Sequence, residues 1–402
     1  MSEDELDPLL NRRTYLTGIG ATGAFAVMAG CLSDDDGDAG SGGNNGGSGG
    51  NGGTSSNGET DSSQGFESFP SYPFDDFDLL AFNELMPQRT DTLIDNNLNY
   101  AMETELDALE PRDEPAHGDA PMPIPEDEDE WVEPDTLQIS YSAGEDAQAI
   151  FTEAFDPILE NIEEETGIPA EFAVLDNPAA VVEAMRQGRI HAGTASAGTV
   201  PYLVNIGRGR PIATGVQDGL AGYRIFAIAD VDDDDMQHLG DFAGKDIAHA
   251  HETSNSGHLA PLALFPDAEP HSLVPGEDYE IHFAGDHQSA ARGILAGDYD
   301  GSPNASSSFG RAVLDGALDG ADFRAVYISP MFLSNPTCLY HALAPDIQDG
   351  IRRAYLEYDY EGTVWDEMTE FNNFIEFDYA THHHAVLMIH RANDIQYDIE
   401  DI

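Results

Sequence analysis

From residue 135 to the C-terminus the chain alternates short apolar, β-branched runs with longer segments of helical periodicity. That alternation restricts it to the α/β class. Residues 137–141 predict a first strand, 147–166 a helix stopped by Gly167, 170–175 a second strand, and 178–186 a helix stopped by Gly188. Further strands are predicted at 190–195, 224–229, 246–249, 279–283 and 324–328. The 268 residues from Asp135 to Ile402 are enough for two lobes with a cleft between them, and no internal repeat is evident.

The N-terminus carries a different kind of information. Arg12-Arg13 precede a short apolar run ending at Met28-Ala29-Gly30-Cys31. Paired arginines before such a run read as a twin-arginine export signal, and small residues before a cysteine read as a lipoprotein cleavage site. The run is broken by Gly18, Gly20 and Gly23, whereas a membrane span needs about 20 apolar residues. Gly18-Ile19-Gly20-Ala21-Thr22-Gly23 formally matches a dinucleotide-binding fingerprint, but no strand precedes it and no βαβ unit follows. The expected layout is a signal peptide at 1–30, lipidation at Cys31, and a Gly/Ser/Asn/Asp tether at 31–65 too polar to pack a core. The mature protein would then sit on the extracytoplasmic face of the cell membrane.

Acidic residues number 76 against 16 basic ones, with Lys245 the only lysine, giving a formal net charge of −60. This excludes nucleic acid as a partner. With 41% hydrophobic residues the chain is not a disordered acidic protein, and adaptation to very high salt is the reading that fits. At 1 M salt the Debye length is about 3 Å, which suppresses self-repulsion. Besides Cys31 there is only Cys338, in an apolar stretch, so no disulfide framework is expected and Cys338 reads as a core residue. Residues 66–134 form an acidic, proline-rich extension with one helical candidate at 89–109.

The most chemically suggestive segment runs from Glu252 to Leu262. A strand leads into Ser254-Asn255-Ser256-Gly257-His258 and then an apolar helical stretch. Such a turn presents backbone N–H groups and hydroxyls to an anion. An ordinary N-cap by Ser254 or Ser256 explains the same residues equally well.

Several segments in order resemble the phosphate, phosphite and phosphonate solute-binding proteins of ABC transporters. Residues 176–193 are similar to that family's helix, glycine turn and strand leading to the first-lobe pocket wall. Residues 239–248 are similar to the stretch before its Ser-Thr-Ser-Gly turn, with Asn255 standing where Thr belongs. Gly285-Asp286-His287-Gln288-Ser289-Ala290, then Gly297-Asp298-Tyr299-Asp300, resemble its His-acidic helix start and later Asp. Tyr327-Ile328-Ser329-Pro330 and residues 343–347 match its return crossing and a C-terminal helix.

The resemblance covers residue 135 to the C-terminus and implies a two-lobed periplasmic-binding-protein-like fold (type II), each lobe a mixed sheet flanked by helices around a central cleft. Lobe one would comprise 135–229 and 332–402, and lobe two 230–331. It implies oxyanion donors at Ser254, Asn255, Ser256, Gly257 and the backbone around His258. Thr199 and Tyr202 would line the first-lobe wall, Tyr141 the other wall or simply a strand face, and His287 the start of a pocket helix. Gln288 stands where many relatives keep an acid facing an amine, which weakens an amine-bearing ligand. Asp300 would accept a hydrogen bond from a monoprotonated phosphoryl group, or is a solvated loop acid.

Other classes compete with this reading. Fourteen histidines, among them His249, His251 and His382-His383-His384, leave a zinc-binding protein as one alternative, and a non-transport ligand sensor on the same fold is another. No nucleophile triad, catalytic carboxylate pair or phosphate-binding lysine loop supports an enzyme. The expectation is a monomeric lipoprotein with no cofactor and no resident metal. It would capture a small phosphorus oxyanion and hand it to an ABC permease and its ATPase, without catalysis.

Overall fold

The structure is a computed structural model that describes residues 82–102, 104–107, 109–142, 154–175, 177–217, 220–252, 254–333, 335–369 and 371–398. The export signal, Cys31, the tether and the start of the helix expected at 147–166 lie outside the described residues. Helix Asp156–Thr166 ends where its sequence requires, with Gly167 in the left-handed region at φ 70° and its amide donating to Glu163 O. Helix Pro178–Arg186 starts on Asn177, whose side chain accepts the Ala180 amide at 2.8 Å, and buries Val181, Val182, Ala184 and Met185.

The described strands form two sheets. The eight-stranded sheet contains β2 (Ala101–Met102), β3 (Leu137–Ser142), β4 (Ala170–Phe172), β5 (Ala192–Ala195), β6 (Gly209–Gln217), β7 (Leu220–Ala221), β13 (Thr337–Tyr340) and β14 (Asn373–Glu376). Its order is β2-β7-β6-β13-β5-β3-β4, with β14 also on β6. The six-stranded sheet contains β1 (Gln88–Arg89), β8 (Ile225–Asp230), β9 (Asp246–His249), β10 (Glu280–Phe283), β11 (Gly301–Ala305) and β12 (Phe323–Ile328). Its order is β1-β12-β8-β11-β9-β10. One apolar core around Ile139, Ile158, Met185 and Leu339 serves the first lobe. The second lobe has separate cores on its two sheet faces, one around Phe309 and Phe323, the other around Phe242 and Phe265.

Two expectations need correction. Strand β8 belongs to the six-stranded sheet, so the first crossing between lobes falls at Tyr223 and not after residue 229. Tyr223 and Phe332 exchange both backbone hydrogen bonds at 2.8 Å, which ties the outgoing and returning crossings together. Gly222, at φ 66°, turns the chain there, and a Cβ on it would collide with the Phe332 carbonyl oxygen. The helix expected at 89–109 is broken into β1, helix Thr90–Asp95, β2 and helix Thr104–Asp107, because Asn97 adopts φ 58° after the first helix. The extension is therefore part of both sheets. Asn304, which opens the glycosylation-type sequon Asn304-Ala305-Ser306, is 0% exposed within β11 and inaccessible in the folded protein.

The register fixes where a cleft lies. In lobe one, β13 leaves the return crossing at Thr337, which pairs with Thr194 near the end of β5, and β3 runs parallel to β5. In lobe two, β8 starts beside the crossing at Ile225, opposite Ala305 at the end of β11. Strand β9 is parallel to β11. The carboxyl ends of β3, β5, β9 and β11 thus all lie at the crossings, where open α/β sheets place their ligands.

Candidate functional site

Strand β9 ends at His249, and residues 254–257 follow at that crossing end. Ser254 caps a wide helical turn, Asn255–Leu259, that continues into helix Ala260–Leu264. Its Oγ accepts the Gly257 amide at 3.1 Å, and its carbonyl accepts the amides of His258 and Leu259, both at 3.0 Å. The N-cap role of Ser254 is thus realised, and the Asn255 and Ser256 amides lead the turn. Gly257 is required by space: a Cβ there would stand 2.5 Å from Ala250 Cβ and 3.0 Å from His287 Cε1.

Ser256, 3% exposed, lies 3.3 Å from His287 Nε2 at the first position of helix His287–Ala296. Because the Ala305 amide donates to His287 Nδ1 at 3.4 Å, the ring proton sits on Nε2 and points at Ser256 Oγ. Ser256 then keeps its own hydroxyl proton, which it can give to the Tyr223 oxygen or, in its place, to a bound anion. Burial, with the nearby His251, pushes the His287 imidazole down to about 4, so it is neutral near pH 7. Helix His287–Ala296 is itself capped by Asp286, which accepts from the Ser289 amide at 2.7 Å.

Tyr223 enters the site from the crossing, a position that no motif in the sequence marks. Its hydroxyl receives Asn255 Nδ2 at 3.2 Å and also bonds Ser256, while burial raises its pKa to about 12 and keeps it protonated. The return crossing makes a matching contact on the other lobe, where Asn335 Nδ2 donates to Tyr141 OH at 3.2 Å. Tyr141 is otherwise a core residue against Phe155 and Trp365, and burial raises its pKa.

On lobe one the loop after β5 holds Ser196 and Thr199, whose hydroxyls lie 3.0 Å apart. Its Ala197 carbonyl accepts His383 Nε2–H at 2.7 Å, which fixes His383 as the Nε2 tautomer. Ala197 also packs with Ile225, Ala260 and Phe332, residues drawn from both lobes and the crossing. Thr199 immediately precedes helix Val200–Asn205, two residues beyond this packing. Ser196 was not singled out in the sequence because its pairing depends on the loop's shape.

Other sequence candidates are placed elsewhere. Tyr202 is packed edge-on between His390 and Tyr397, with ring centroids 5.8 and 5.3 Å away, as part of the lobe-one core. The His258 ring bonds His249 Nδ1 at 2.8 Å and lies against Phe283, and its amide is consumed by Ser254 O. Asp300 accepts the Asp246 amide at 2.8 Å and faces Lys245 at 3.7 Å. Asp246 opens β9, so about 10 Å of strand separates Asp300 from the turn. Of the histidines in the metal reading, His249 is committed to His258 and Tyr279, and His383 to Ala197. The one described group of three close potential ligands, Asp246, Glu280 and His282, stands at the opposite end of β9. Cys338 is a free, buried thiol whose pKa burial raises, as expected of a core residue.

Two α/β lobes joined by paired crossings, with hydroxyl and amide donors gathered at the carboxyl ends of their strands, define a solute-binding protein of the periplasmic type. A family model described as the periplasmic substrate-binding protein of phosphonate ABC transporters matches residues 143–382, and the chain belongs to that family. Its members are transporter substrate-binding proteins rather than enzymes. Over 236 residues the chain is 27% identical to the phosphate-import protein PhnD of Mycolicibacterium smegmatis, covering 56% of this chain and 72% of that protein. The fold is shared with PhnD1 from Prochlorococcus marinus in complex with methylphosphonate (TM-score 0.54, 12% identity, 65% of this chain and 99% of that one). It is shared also with the binding protein component of an ABC phosphonate transporter from Pseudomonas aeruginosa (TM-score 0.52, 15% identity, 65% of this chain and 89% of that one). Among the described residues no helix is long and apolar enough to cross a membrane.

Proposed function

We propose that the protein captures phosphate, phosphite or a phosphonate between its lobes and delivers it to an ABC permease and its ATPase. The observation that carries this reading is the convergence of Ser254, Ser256, His287 and Tyr223 at the crossing. The donors there are neutral and held by other groups, an arrangement suited to solvating an anion without reorganisation. Ser256 is the central donor, since His287 occupies its acceptor side. The Asn255 and Ser256 amides and the Tyr223 hydroxyl complete the lobe-two half, with Ser196 and Thr199 facing from lobe one. Asn255, in place of the Thr expected from the resemblance, holds Tyr223 to the turn.

The export motif and Cys31 support twin-arginine export and lipid attachment on the extracytoplasmic face, and the acidic composition supports a high-salt habitat. We expect a monomer. The test is the double substitution Ser254→Ala, Ser256→Ala. Hydrogen bonds to a charged ligand are worth about 1.5–3 kcal/mol each, so oxyanion affinity should fall by at least about tenfold while circular dichroism is unchanged. Unaltered affinity in a folded double variant contradicts the assignment.

A further inference from the structure

We infer that residues 82–106 form a third connection between the lobes, a strap that limits how far the hinge opens. The family match begins at residue 143, so this segment lies ahead of the shared part of the chain. On lobe two, β1 extends the sheet against β12, and the Asn83 side chain both donates to and accepts from the Ile328 backbone at 2.9 Å. Thr90 Oγ1 donates to Gly320 O at 2.6 Å, and Phe82, Leu93 and Leu98 share a core with Phe309 and Phe323. On lobe one, β2 pairs with β7 and Leu106 enters the other core. Both ends are therefore anchored, each to a different lobe.

Between the anchors the strap is tied to both crossings by one buried polar network. Ser306 Oγ donates to Asn99 O at 2.6 Å and accepts the Arg224 amide at 2.8 Å. Arg224, 2% exposed and next to the hinge residue Tyr223, grips both carboxylate oxygens of Glu105 at 2.6 Å through Nη2. Its Nη1 donates to Ser329 O on the return crossing at 3.2 Å, and Ser329 Oγ accepts the Ile225 amide at 2.7 Å. A buried arginine cannot shed its charge, so losing Glu105 removes the carboxylate that Arg224 grips with both oxygens and weakens the tie between strap and crossing.

The mechanical consequence follows from chain length. Leu98 belongs to the lobe-two core and Ala101 pairs in the lobe-one sheet. Three residues reach at most about 10–11 Å, and a turn in which the Tyr100 amide donates to Asn97 O takes up part of that length, so rotation about Tyr223 and Phe332 must first open this turn and, beyond the link's reach, tear an anchor. Hinged binding proteins interconvert between open and closed lobes at their crossings. Here a third strand biases that equilibrium toward smaller openings, independently of which ligand the cleft takes. Asn393, which donates to Leu259 O at 2.9 Å, makes a separate tie that the test leaves intact.

The test is the inter-lobe distance distribution of the ligand-free full chain carrying Cys31→Ser. Spin labels at Val174→Cys and Leu314→Cys, both exposed positions, report on lobe one and lobe two by electron–electron double resonance. One variant inserts four glycines between Tyr100 and Ala101, keeping both anchors but adding slack. A second, Glu105→Gln, loosens the grip on Arg224 without altering chain length. Either variant is expected to add a longer-distance population, about tenfold more open states for the insertion, equivalent to about 1.4 kcal/mol. A folded insertion variant whose distances match the parent overturns the strap; if the insertion fails to fold, an unchanged distribution in Glu105→Gln does so. No ligand is present, so failure of the oxyanion reading leaves this result unaffected.

Discussion

Gly257→Ala probes the geometry of the binding turn with a single methyl group. An ideal Cβ at this position lies 2.5 Å from Ala250 Cβ, 2.8 Å from Ser254 Oγ and 3.0 Å from His287 Cε1. Carbon atoms are at their best separation at about 3.5–4.0 Å, so the closest pair is short by about 1 Å. Ala250 has no rotamer with which to move aside, and the preceding strand is fixed by β10 and β11. Relief must come from the turn itself, drawing Ser256 from His287 and loosening the 3.1 Å cap between Ser254 and Gly257. Overpacking of this kind costs about 1–3 kcal/mol of stability. Affinity for the oxyanion should fall by about 10–100-fold through the displaced donors. Urea unfolding in multimolar KCl and calorimetric titration read the two effects. The companion variant Ala250→Gly removes the 2.5 Å contact and should restore part of both in a double-mutant cycle. Wild-type affinity and an unchanged urea midpoint in Gly257→Ala would refute the packing argument.

Asp300→Asn should leave ligand affinity within about twofold of wild type, a difference below about 0.5 kcal/mol, since Asp300 serves the Asp246 amide at the far end of β9; a large loss of affinity would return it to the site. Cys31→Ser should release the protein into the soluble fraction of cells, and retention on membranes would count against lipidation. Acid should destabilise the fold through its buried histidines. His287 and His383 are lowered to about 4 by burial, against about 6.5 in the unfolded chain. Below pH about 6.5 the unfolded state binds more protons, so their contribution is complete above that pH and is lost as pH falls toward 4. Each adds up to about 1.4 kcal/mol per pH unit. His383→Gln should therefore flatten the dependence of the urea midpoint on pH between 6.5 and 4; slopes equal to wild type would contradict it.

The central strands were readable because short apolar runs bounded by turn residues report directly on burial. Strand β9 occupies the expected 246–249, and helix Pro178–Arg186 has the expected bounds, since Asn177, Pro178 and Gly188 mark both its ends. The extension was opaque for a physical reason. Strands β1 and β2 are two residues each, too short to show a period, and their partners Ala325 and Ala221 lie over a hundred residues away. Register also decides Asp300: its order in the sequence matches a binding motif, yet it abuts the start of β9 while the turn follows its end. Tyr223 joins the site only because Phe332 holds the two crossings together, and the same pairing puts the lobe boundary before β8. Residues Ser254 to Gly257 were legible as a turn, but their geometry divides the labour among them: Ser254 caps, Asn255 holds Tyr223, and Ser256 is left to donate.

The extension also determines which protein must be assayed. A fragment beginning at Asp135 would lack β1 and β2 and leave Arg224 without Glu105, so the mature chain is the proper material. The most direct measurement is calorimetric titration of that chain in multimolar KCl with phosphate, phosphite, methylphosphonate, aminoethylphosphonate and zinc in turn. Binding of one phosphorus oxyanion at about micromolar Kd or tighter, about −8 kcal/mol, with loss of the heat in Ser254→Ala, Ser256→Ala, is the result expected. Zinc binding alone, or oxyanion binding indifferent to the double substitution, would contradict capture at this turn.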